Sequence, residues 1–127
     1  MVIDDEPINA DIAKDIVSDF GLEVFAAGSA DIALELCFKF LAQQKKIDLI
    51  FLDYNMPDVY GDELATILRQ SRFEPILKDT PIVGLTAHTD AETKRLCLAA
   101  GMNRVESKPF NVNKIKEILN DFNLIDE

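Results

Sequence analysis

The sequence contains 127 residues, which fits one domain, residues 1–127, with a single buried core. Its 23 acidic residues outnumber the 13 basic ones, and the net charge of −10 argues against binding to nucleic acid or to an anionic membrane. No apolar run approaches the roughly 18 residues of a membrane span, and no basic segment precedes an apolar one, so we expect a soluble, cytoplasmic chain.

Two further features concern the compartment and the extent of the chain. Cys37 and Cys97 stand alone in helical patterns, without the close spacing of a zinc site or a redox pair. They are interpreted as core residues of a reducing compartment and not as a disulfide. The first apolar run begins at Met1, so we expect the natural polypeptide to extend further toward its amino terminus.

Short apolar runs alternate with helical patterns along the first half of the chain. Residues 49–52 form an apolar run that is too short for a helix and is bounded by charge and Pro57, which predicts a strand buried in a parallel sheet. Pro7 and Ser29 mark helix starts, because proline needs no N–H there and serine caps one. The predicted elements are a strand at 1–3, a helix at 7–20, a strand at 22–27, a helix at 30–43 and the strand at 49–52.

The same alternation continues to the end of the chain. It predicts a helix at 61–70, a polar connection at 71–80, a strand at 81–85, a helix at 90–100, a strand at 104–106 and a helix at 111–122. Five repeats of strand and helix predict an α/β fold, a doubly wound parallel sheet with five helices covering both of its faces.

Polar side chains follow four of the predicted strands. Asp4 and Asp5 follow the first strand, Asp53 the third, Thr86 the fourth and Lys108 the fifth. Parallel strands end at one edge of the sheet, where α/β proteins bind ligands, so we expect these side chains to converge. Taken singly, each has a simpler interpretation, since aspartate and threonine also cap turns and helices and lysine is common in loops. The combination is what indicates a site.

Three converging carboxylates require a compensating charge. Two of them about 4 Å apart repel each other by roughly 4 kcal/mol at an effective dielectric constant near 20, so a cation or shifted pKa values are needed. Mg²⁺ fits, because it prefers one or two carboxylates together with water and phosphate oxygens. Lys108 adds positive charge and Thr86 a hydroxyl, as expected around a phosphoryl group.

Together these motifs closely resemble the receiver domain of two-component response regulators and hybrid histidine kinases, over essentially the whole chain. The matching motifs are Asp4-Asp5, Asp53 with Met56-Pro57 and Gly61, Leu85-Thr86-Ala87, and Lys108-Pro109-Phe110. The resemblance implies a flavodoxin-like sheet of five parallel strands in the order 2-1-3-4-5.

The resemblance also implies a phosphorylation site and a metal site. Asp53 would accept a phosphoryl group from the phosphohistidine of a histidine kinase or a histidine phosphotransfer domain, and would relay or report it. Asp5, Asp53 and the backbone carbonyl of Asn55 would bind Mg²⁺, and Asp4 would assist through water. The chain would act as a signalling phosphoacceptor and not as an enzyme on an external substrate, beyond phosphorylating itself from small phosphodonors and dephosphorylating itself.

Further roles follow from the same resemblance. Thr86, Ala87 and Lys108 would contact the phosphoryl oxygens, and the peptide bond before Pro109 would be cis. His88 occupies a variable position near the phosphoryl group, where a histidine is equally an exposed loop residue.

The segments 4–9 and 85–88 look most similar to receiver domains that are fused to hybrid kinases. The chain would then be the cytoplasmic part of a larger, membrane-anchored protein. One position departs from the family pattern, because Val105 stands where many members carry an aromatic switch residue.

A partner surface is expected around the phosphorylation edge, at the start of the first helix and in the loop after the fifth strand. The candidates are Asn9, Ile12, Pro109 and Phe110. Ile12 shares a helix face with Ile8, so it has an alternative interpretation as a core residue.

Two rival functions use similar residues. An aspartate-nucleophile phosphohydrolase needs a second aspartate two residues after the nucleophile, where this chain has Asn55. A flavodoxin-type flavin module needs a phosphate-binding loop after the first strand, where residues 4–6 are acidic and would repel the phosphate.

Overall fold

A computed structural model of the chain describes residues 1–87, 90–108 and 111–125. Those residues form five strands, six α-helices and one 3₁₀ turn at Ser71–Phe73. The strands are β1 Val2–Ile3, β2 Ala26–Ala27, β3 Ile50–Asp53, β4 Ile82–Thr86 and β5 Arg104–Ser107. The helices are α1 Pro7–Asp19, α2 Ala30–Ala42, α3 Gly61–Leu68, α4 Glu74–Leu77, α5 Ala91–Ala99 and α6 Val112–Asp121.

The five strands form one parallel sheet in the order β2-β1-β3-β4-β5, which confirms the predicted topology. In the centre of the sheet, Leu52 pairs with Gly84 and Asp53 with Leu85, while Thr86 pairs with Ser107 at the edge. All five strands run in the same direction, so their carboxyl ends lie at one edge. The sheet thus places the predicted site residues of β1, β3, β4 and β5 side by side.

Alternate residues of the strands point to opposite faces of the sheet, and each face has its own core. On one face, Val2, Phe51 and Val83 pack with α1 and α6. On the other face, Ile3, Leu52 and Ile82 pack with α2, α3, α4 and α5. Both faces are covered, which explains why the strands read as continuous apolar runs instead of alternating ones.

Helix α4 was not predicted, and with it the described residues contain six α-helices instead of the expected five. The expected polar connection at 71–80 contains a 3₁₀ turn and α4, because Phe73, Ile76 and Leu77 are apolar and become buried under α2. Arg69 anchors this segment from the end of α3, since its guanidinium donates hydrogen bonds to the carbonyl oxygens of Leu77, Thr80 and Gly101. The charged residues of this segment made it look polar in the sequence, so the burial of its apolar residues was not predicted.

Strand β2 is shorter than the predicted 22–27. Only its last two residues are paired, Ala26 with Val2 and Ala27 with Ile3, because β1 offers two residues to an edge strand. Leu22 and Val24 still pack against the core on the α1 and α6 face. The apolar pattern was therefore sound as a sign of burial, and it overestimated the length of backbone pairing.

The apolar stripes of α1 and α6 are wider than the faces they bury. Ala10, Ala13 and Val17 form the buried face of α1, whereas the side chain of Ile8 is 71% exposed and that of Ile12 is 46% exposed. In α6 the first apolar residue, Val112, is likewise exposed. Helical periodicity could not separate these residues from the core, because they lie at its margin.

The cysteines agree with their interpretation as core residues. Cys37 in α2 and Cys97 in α5 are both buried and both unpaired thiols. Among the described residues, no helix has the length and apolar character to cross a membrane.

Candidate functional site: an acidic cluster with one lysine

Asp53 occupies the last position of β3 and is almost completely buried, with 1% of its side chain exposed. Its Oδ1 accepts a hydrogen bond from the backbone N–H of Asn55 at 3.1 Å and lies 2.9 Å from Nζ of Lys108. The strand delivers this carboxylate to the edge because the preceding residues, Ile50 to Leu52, are anchored in the core. A buried carboxylate needs such partners to remain charged.

Asp4 and Asp5 enter the site from the turn between β1 and α1. Asp4 is buried, and its Oδ1 accepts a hydrogen bond from the backbone N–H of Glu6 at 2.9 Å. Asp5 is partly exposed. Asp4, Asp5 and Asp53 each offer a carboxylate oxygen, and these oxygens all lie within 4.8 Å of one another. This confirms that the three acids converge.

The crowded carboxylates perturb one another. Burial, together with the neighbouring charge of Asp53, raises the pKa of Asp4 from 3.8 to about 6, although the hydrogen bond from Glu6 opposes the shift. Burial also raises the pKa of Asp5, and its contact with Asp53 adds to this effect. Both shifts have the direction that uncompensated negative charge produces, so the site favours either protons or a bound cation.

Lys108 supplies the positive charge that the described part of the site contains. It follows β5 directly, and its backbone N–H donates to the carbonyl oxygen of Thr86 at 3.0 Å, which extends the β4 and β5 pairing past the strand ends. Its ammonium lies 2.9 Å from Asp53 and 3.7 Å from Asp4. The lysine therefore bridges the carboxylates that follow β1 and β3.

Thr86 reaches the site through Asn55. Its hydroxyl is buried and donates to the side-chain oxygen of Asn55 at 3.3 Å. Ala87 follows Thr86 at the rim, where it lines an open depression together with Asn9, Asp53 and Lys108. A small ligand entering this depression would meet the carboxylate, the ammonium and the residues after β4 at once.

The loop between β3 and α3, residues 54–60, folds back tightly against the strand end. Met56 is buried in the core, and the N–H of Gly61 donates to the carbonyl oxygen of Tyr54 at 2.9 Å. A Cβ at Gly61 would lie 2.8 Å from the carbonyl oxygen of Asp53 and from Cα of Tyr54. Glycine is required there because the start of α3 approaches the backbone of Asp53 so closely.

The structure brings together the residues that the sequence predicted at the strand ends. The three carboxylates of Asp4, Asp5 and Asp53 converge, and Lys108 contacts Asp4 and Asp53. Thr86 is joined to Asp53 by Asn55. His88, Pro109 and Phe110 lie outside the described residues, as does the peptide bond before Pro109.

Sequence reasoning missed one contribution and gave another only as an alternative. The side chain of Asn55 links Thr86 to the loop after β3, and the backbone N–H of Glu6 holds Asp4 in place. An asparagine two residues after a strand-end aspartate, next to Pro57, was a signal for the first, because asparagine commonly hydrogen-bonds within turns. The second is the capping role that the sequence offered as the simpler interpretation of Asp4, and it coexists with the place of Asp4 in the acidic cluster.

This arrangement suits a hard cation and a phosphoryl group. Its donors are carboxylate oxygens, which Mg²⁺ prefers, and Lys108 can pair with an anionic oxygen. The buried carboxylate of Asp53 is held in one orientation by the N–H of Asn55 and the ammonium of Lys108.

Comparison with known proteins places these observations in a family context. A sequence model of the response regulator receiver domain matches residues 1–120. The sensor histidine kinase RcsC of Escherichia coli (strain K12) is 33% identical over 119 residues, which make up 94% of this chain and 12% of that kinase. The hybrid signal transduction histidine kinase M of Dictyostelium discoideum is 31% identical over 111 residues, 87% of this chain and 4% of that kinase.

A solved structure supports the same comparison. The chemotaxis protein CheY4 of Vibrio cholerae superposes with a TM-score of 0.82 at 30% identity, and the match covers 95% of this chain and 94% of that protein. The match thus covers nearly all of both chains, whereas this chain spans only a small part of the length of the two kinases.

Proposed function

We propose that this chain, which belongs to the response regulator receiver family, takes a phosphoryl group from a phosphohistidine onto Asp53 in a Mg²⁺-dependent reaction. The observation that carries the proposal is the buried carboxylate of Asp53, with the ammonium of Lys108 at 2.9 Å and the carboxylates of Asp4 and Asp5 close by. Membership in the family makes the chain a phosphoacceptor of two-component signalling. The choice of Asp53 follows from its strand-end position and its partners.

The proposed metal ligands are Asp5, Asp53 and the backbone carbonyl of Asn55, with Asp4 contributing through water. The oxygens of the three carboxylates lie within 4.8 Å of one another, a spacing that one small cation can span. Burial and mutual repulsion raise the pKa of Asp4, so the cluster carries charge that a cation would relieve. A bound Mg²⁺ would orient the donor phosphate and offset charge on its oxygens.

In the transfer, the P–N bond of the phosphohistidine breaks and its electron pair stays on the imidazole nitrogen. A carboxylate oxygen of Asp53 forms the new bond to phosphorus. Asn55 and Lys108 hold that carboxylate, and the Lys108 ammonium then pairs with a phosphoryl oxygen. The hydroxyl of Thr86 and the N–H of Ala87 would donate to the remaining oxygens.

The kinase or phosphotransfer domain would dock beside this edge. Asn9 lines the open depression, and Ile12 is exposed one turn further along α1, so both are available to a partner. Pro109 and Phe110, after β5, complete the proposed surface. Exposure of Ile12 favours its role in docking over its alternative as a core residue.

Several broader assignments belong to the same proposal. Residues 1–127 would form one receiver domain that works in the cytoplasm, free or as part of a membrane-anchored hybrid kinase. The kinases among its relatives support this origin. Small phosphodonors such as acetyl phosphate would label the domain slowly, and it would lose the phosphoryl group by its own hydrolysis.

The alternative of an aspartate-nucleophile phosphohydrolase is not favoured. Its acid and base position is occupied by Asn55, whose amide cannot transfer a proton and whose side-chain oxygen accepts from Thr86. Family membership points the same way.

The test of the proposal is the mass of the protein after incubation with acetyl phosphate and Mg²⁺. We expect one added phosphoryl group in the wild type and none in Asp53→Asn. Asp48→Asn is the matched control, because Asp48 is an exposed aspartate just before β3, at the other end of the same strand. Undiminished labelling of the Asp53 variant would refute the assignment.

A further inference from the structure

A chain of contacts runs from Thr86 to an exposed aromatic ring. The Thr86 hydroxyl donates to Oδ1 of Asn55 at 3.3 Å, and the Asn55 N–H donates to Oδ1 of Asp53 at 3.1 Å. The backbone of Asn55 then forms an antiparallel β-bridge with Tyr60. The ring of Tyr60 stacks on that of Tyr54, with centroids 5.5 Å apart and planes inclined by 24°.

The loop that carries these contacts is tied at both ends. Tyr54 donates its N–H to the carbonyl oxygen of Leu85 at 2.8 Å, and its own carbonyl oxygen accepts from Gly61 at 2.9 Å. Gly61 leaves no free space against the backbone of Asp53 and Tyr54. A displacement of Asn55 therefore has to be shared by its bridge partner Tyr60, since the loop closes over so few residues.

We propose that the stacked pair of Tyr54 and Tyr60 responds to the phosphorylation of Asp53 through Asn55. The loop between β3 and α3 would then carry the change that Val105, without a ring, cannot carry by rotation. This inference rests on the proposed phosphorylation of Asp53. It adds a route out of the site that ends on an exposed aromatic surface, since the side chain of Tyr60 is 54% exposed.

The physical cause is a change of hydrogen-bond partners at Asn55. A phosphoryl group on Asp53 draws the Thr86 hydroxyl toward its oxygens, and Oδ1 of Asn55 then loses a donor. The Asn55 N–H faces a phosphorylated side chain instead of a free carboxylate. Both ends of one residue are altered together, and its backbone is bridged to Tyr60, which receives the change. A ligand shifts a conformation when its interactions differ between two states, as they do here.

The position of Tyr54 makes it a suitable reporter. Its ring is partly buried against the core, and burial, followed by the nearby carboxylate of Asp62, raises the pKa of its hydroxyl. Its partner Tyr60 lies on the solvent side of the stack. A movement of the loop changes how far the partly buried ring of Tyr54 overlaps the solvent-exposed ring of Tyr60. Tyrosine fluorescence detects such a change.

The chain offers a direct measurement, because Tyr54 and Tyr60 are its two tyrosines and it contains no tryptophan. In Tyr54→Phe, all tyrosine emission comes from Tyr60. We expect this emission to change by roughly a fifth or more when beryllofluoride, a phosphoryl mimic, is added to the Mg²⁺-loaded protein. The amount of bound beryllofluoride is measured independently, by its ¹⁹F NMR signal.

Two further variants test the route. Adding Asn55→Ala to Tyr54→Phe should reduce the response of Tyr60 at least twofold, with emission compared at equal ¹⁹F occupancy. Tyr60→Leu leaves Tyr54 as the single emitter without its stacking partner, and Tyr60→Phe keeps the stack. We expect the response of Tyr54 to be smaller in Tyr60→Leu than in Tyr60→Phe.

The possible failures are distinguishable. A clear ¹⁹F signal with constant Tyr60 emission would overturn the inference and leave the proposed phosphorylation standing. An equal response with and without the Asn55 side chain would overturn the route. Absence of any bound ¹⁹F signal would refute the phosphoacceptor site, and this inference with it.

Discussion

The ammonium of Lys108 lies 2.9 Å from Oδ1 of Asp53 and 3.7 Å from Oδ2 of Asp4, so one side chain joins the ends of β1, β3 and β5. This contact offsets part of the repulsion among the acids. It leaves Asp5 as the partly exposed member of the cluster, free to take a cation from solvent.

We therefore predict that removal of Asp5 weakens Mg²⁺ binding more than removal of another carboxylate of the cluster. Asp5→Ala should raise the dissociation constant about tenfold or more, which corresponds to about 1.4 kcal/mol. Calorimetric titration of the unphosphorylated protein measures it, with Asp15→Ala on the exposed side of α1 as a control of equal charge change. Equal affinities in the wild type and Asp5→Ala would mean that the acids do not form one site.

The raised pKa of Asp4 predicts a pH dependence of stability in Mg²⁺-free buffer. The pKa is about 6 in the folded chain and 3.8 when unperturbed, so the folded state holds more protons between these values. The free energy of unfolding should fall as pH rises through this window, by on the order of 1 kcal/mol. Asp4→Asn keeps an oxygen for the N–H of Glu6 and should remove that fall.

Urea denaturation at pH 4.5 and pH 7 provides the comparison for Asp4. The variant should be the more stable protein at pH 7 without Mg²⁺, and added Mg²⁺ should stabilise the wild type more than the variant. Parallel pH profiles for the two proteins would contradict the assignment of the charge penalty to Asp4.

The partner surface predicts a selective defect in phosphotransfer. Ile12→Glu should slow transfer from a phosphorylated histidine donor about tenfold or more, because a charge would be buried against the partner. Ile32→Glu is a close control, since Ile32 is 45% exposed, against 46% for Ile12, and lies on α2 across the sheet. Labelling by acetyl phosphate, which needs no docking, serves as the reference. Equal transfer rates for the two variants would refute this placement.

Gly61 predicts a steric link between α3 and the phosphorylation site. Gly61→Ala places a Cβ 2.8 Å from two backbone atoms and should destabilise the fold by about 1–3 kcal/mol. Gly28→Ala is the control, because no atom lies within 4 Å of the Cβ that it would add. Similar urea midpoints for Gly61→Ala and Gly28→Ala would contradict this prediction, because they would mean that the loop accommodates the added Cβ without loss of stability.

The absence of an aromatic ring at position 105 predicts which residues change conformation on phosphorylation. Val105 is buried in β5 beside Gly84, and a β-branched side chain is stiff at its first torsion. With beryllofluoride bound, amide shift changes should be larger over residues 54–61 than from Val105 into α6. Large changes across α6, accompanied by dimerisation, would contradict this.

Much of this fold follows from residue patterns, because buried strands and amphipathic helices leave distinct periods. The site was predictable for a related reason, since Asp53 and Lys108 are functional types placed directly after apolar runs. The pairing length of β2 and the burial of Phe73 depend on neighbours that are distant in sequence. The hydrogen bond between Thr86 and Asn55 depends on the direction of the two side chains, which the hydrophobic periodicity of the sequence does not reveal.

The order of the strands has a consequence for synthesis. The acids follow β1 and β3, whereas the lysine follows β5. Strand β4 lies between β3 and β5 in the sheet, so it has to be in place before the lysine can reach Asp53. A polypeptide still emerging from the ribosome, or one cut before residue 108, has the carboxylates without the ammonium that holds Asp53. Under the proposed mechanism, such a product is a poorer phosphoacceptor than the finished chain.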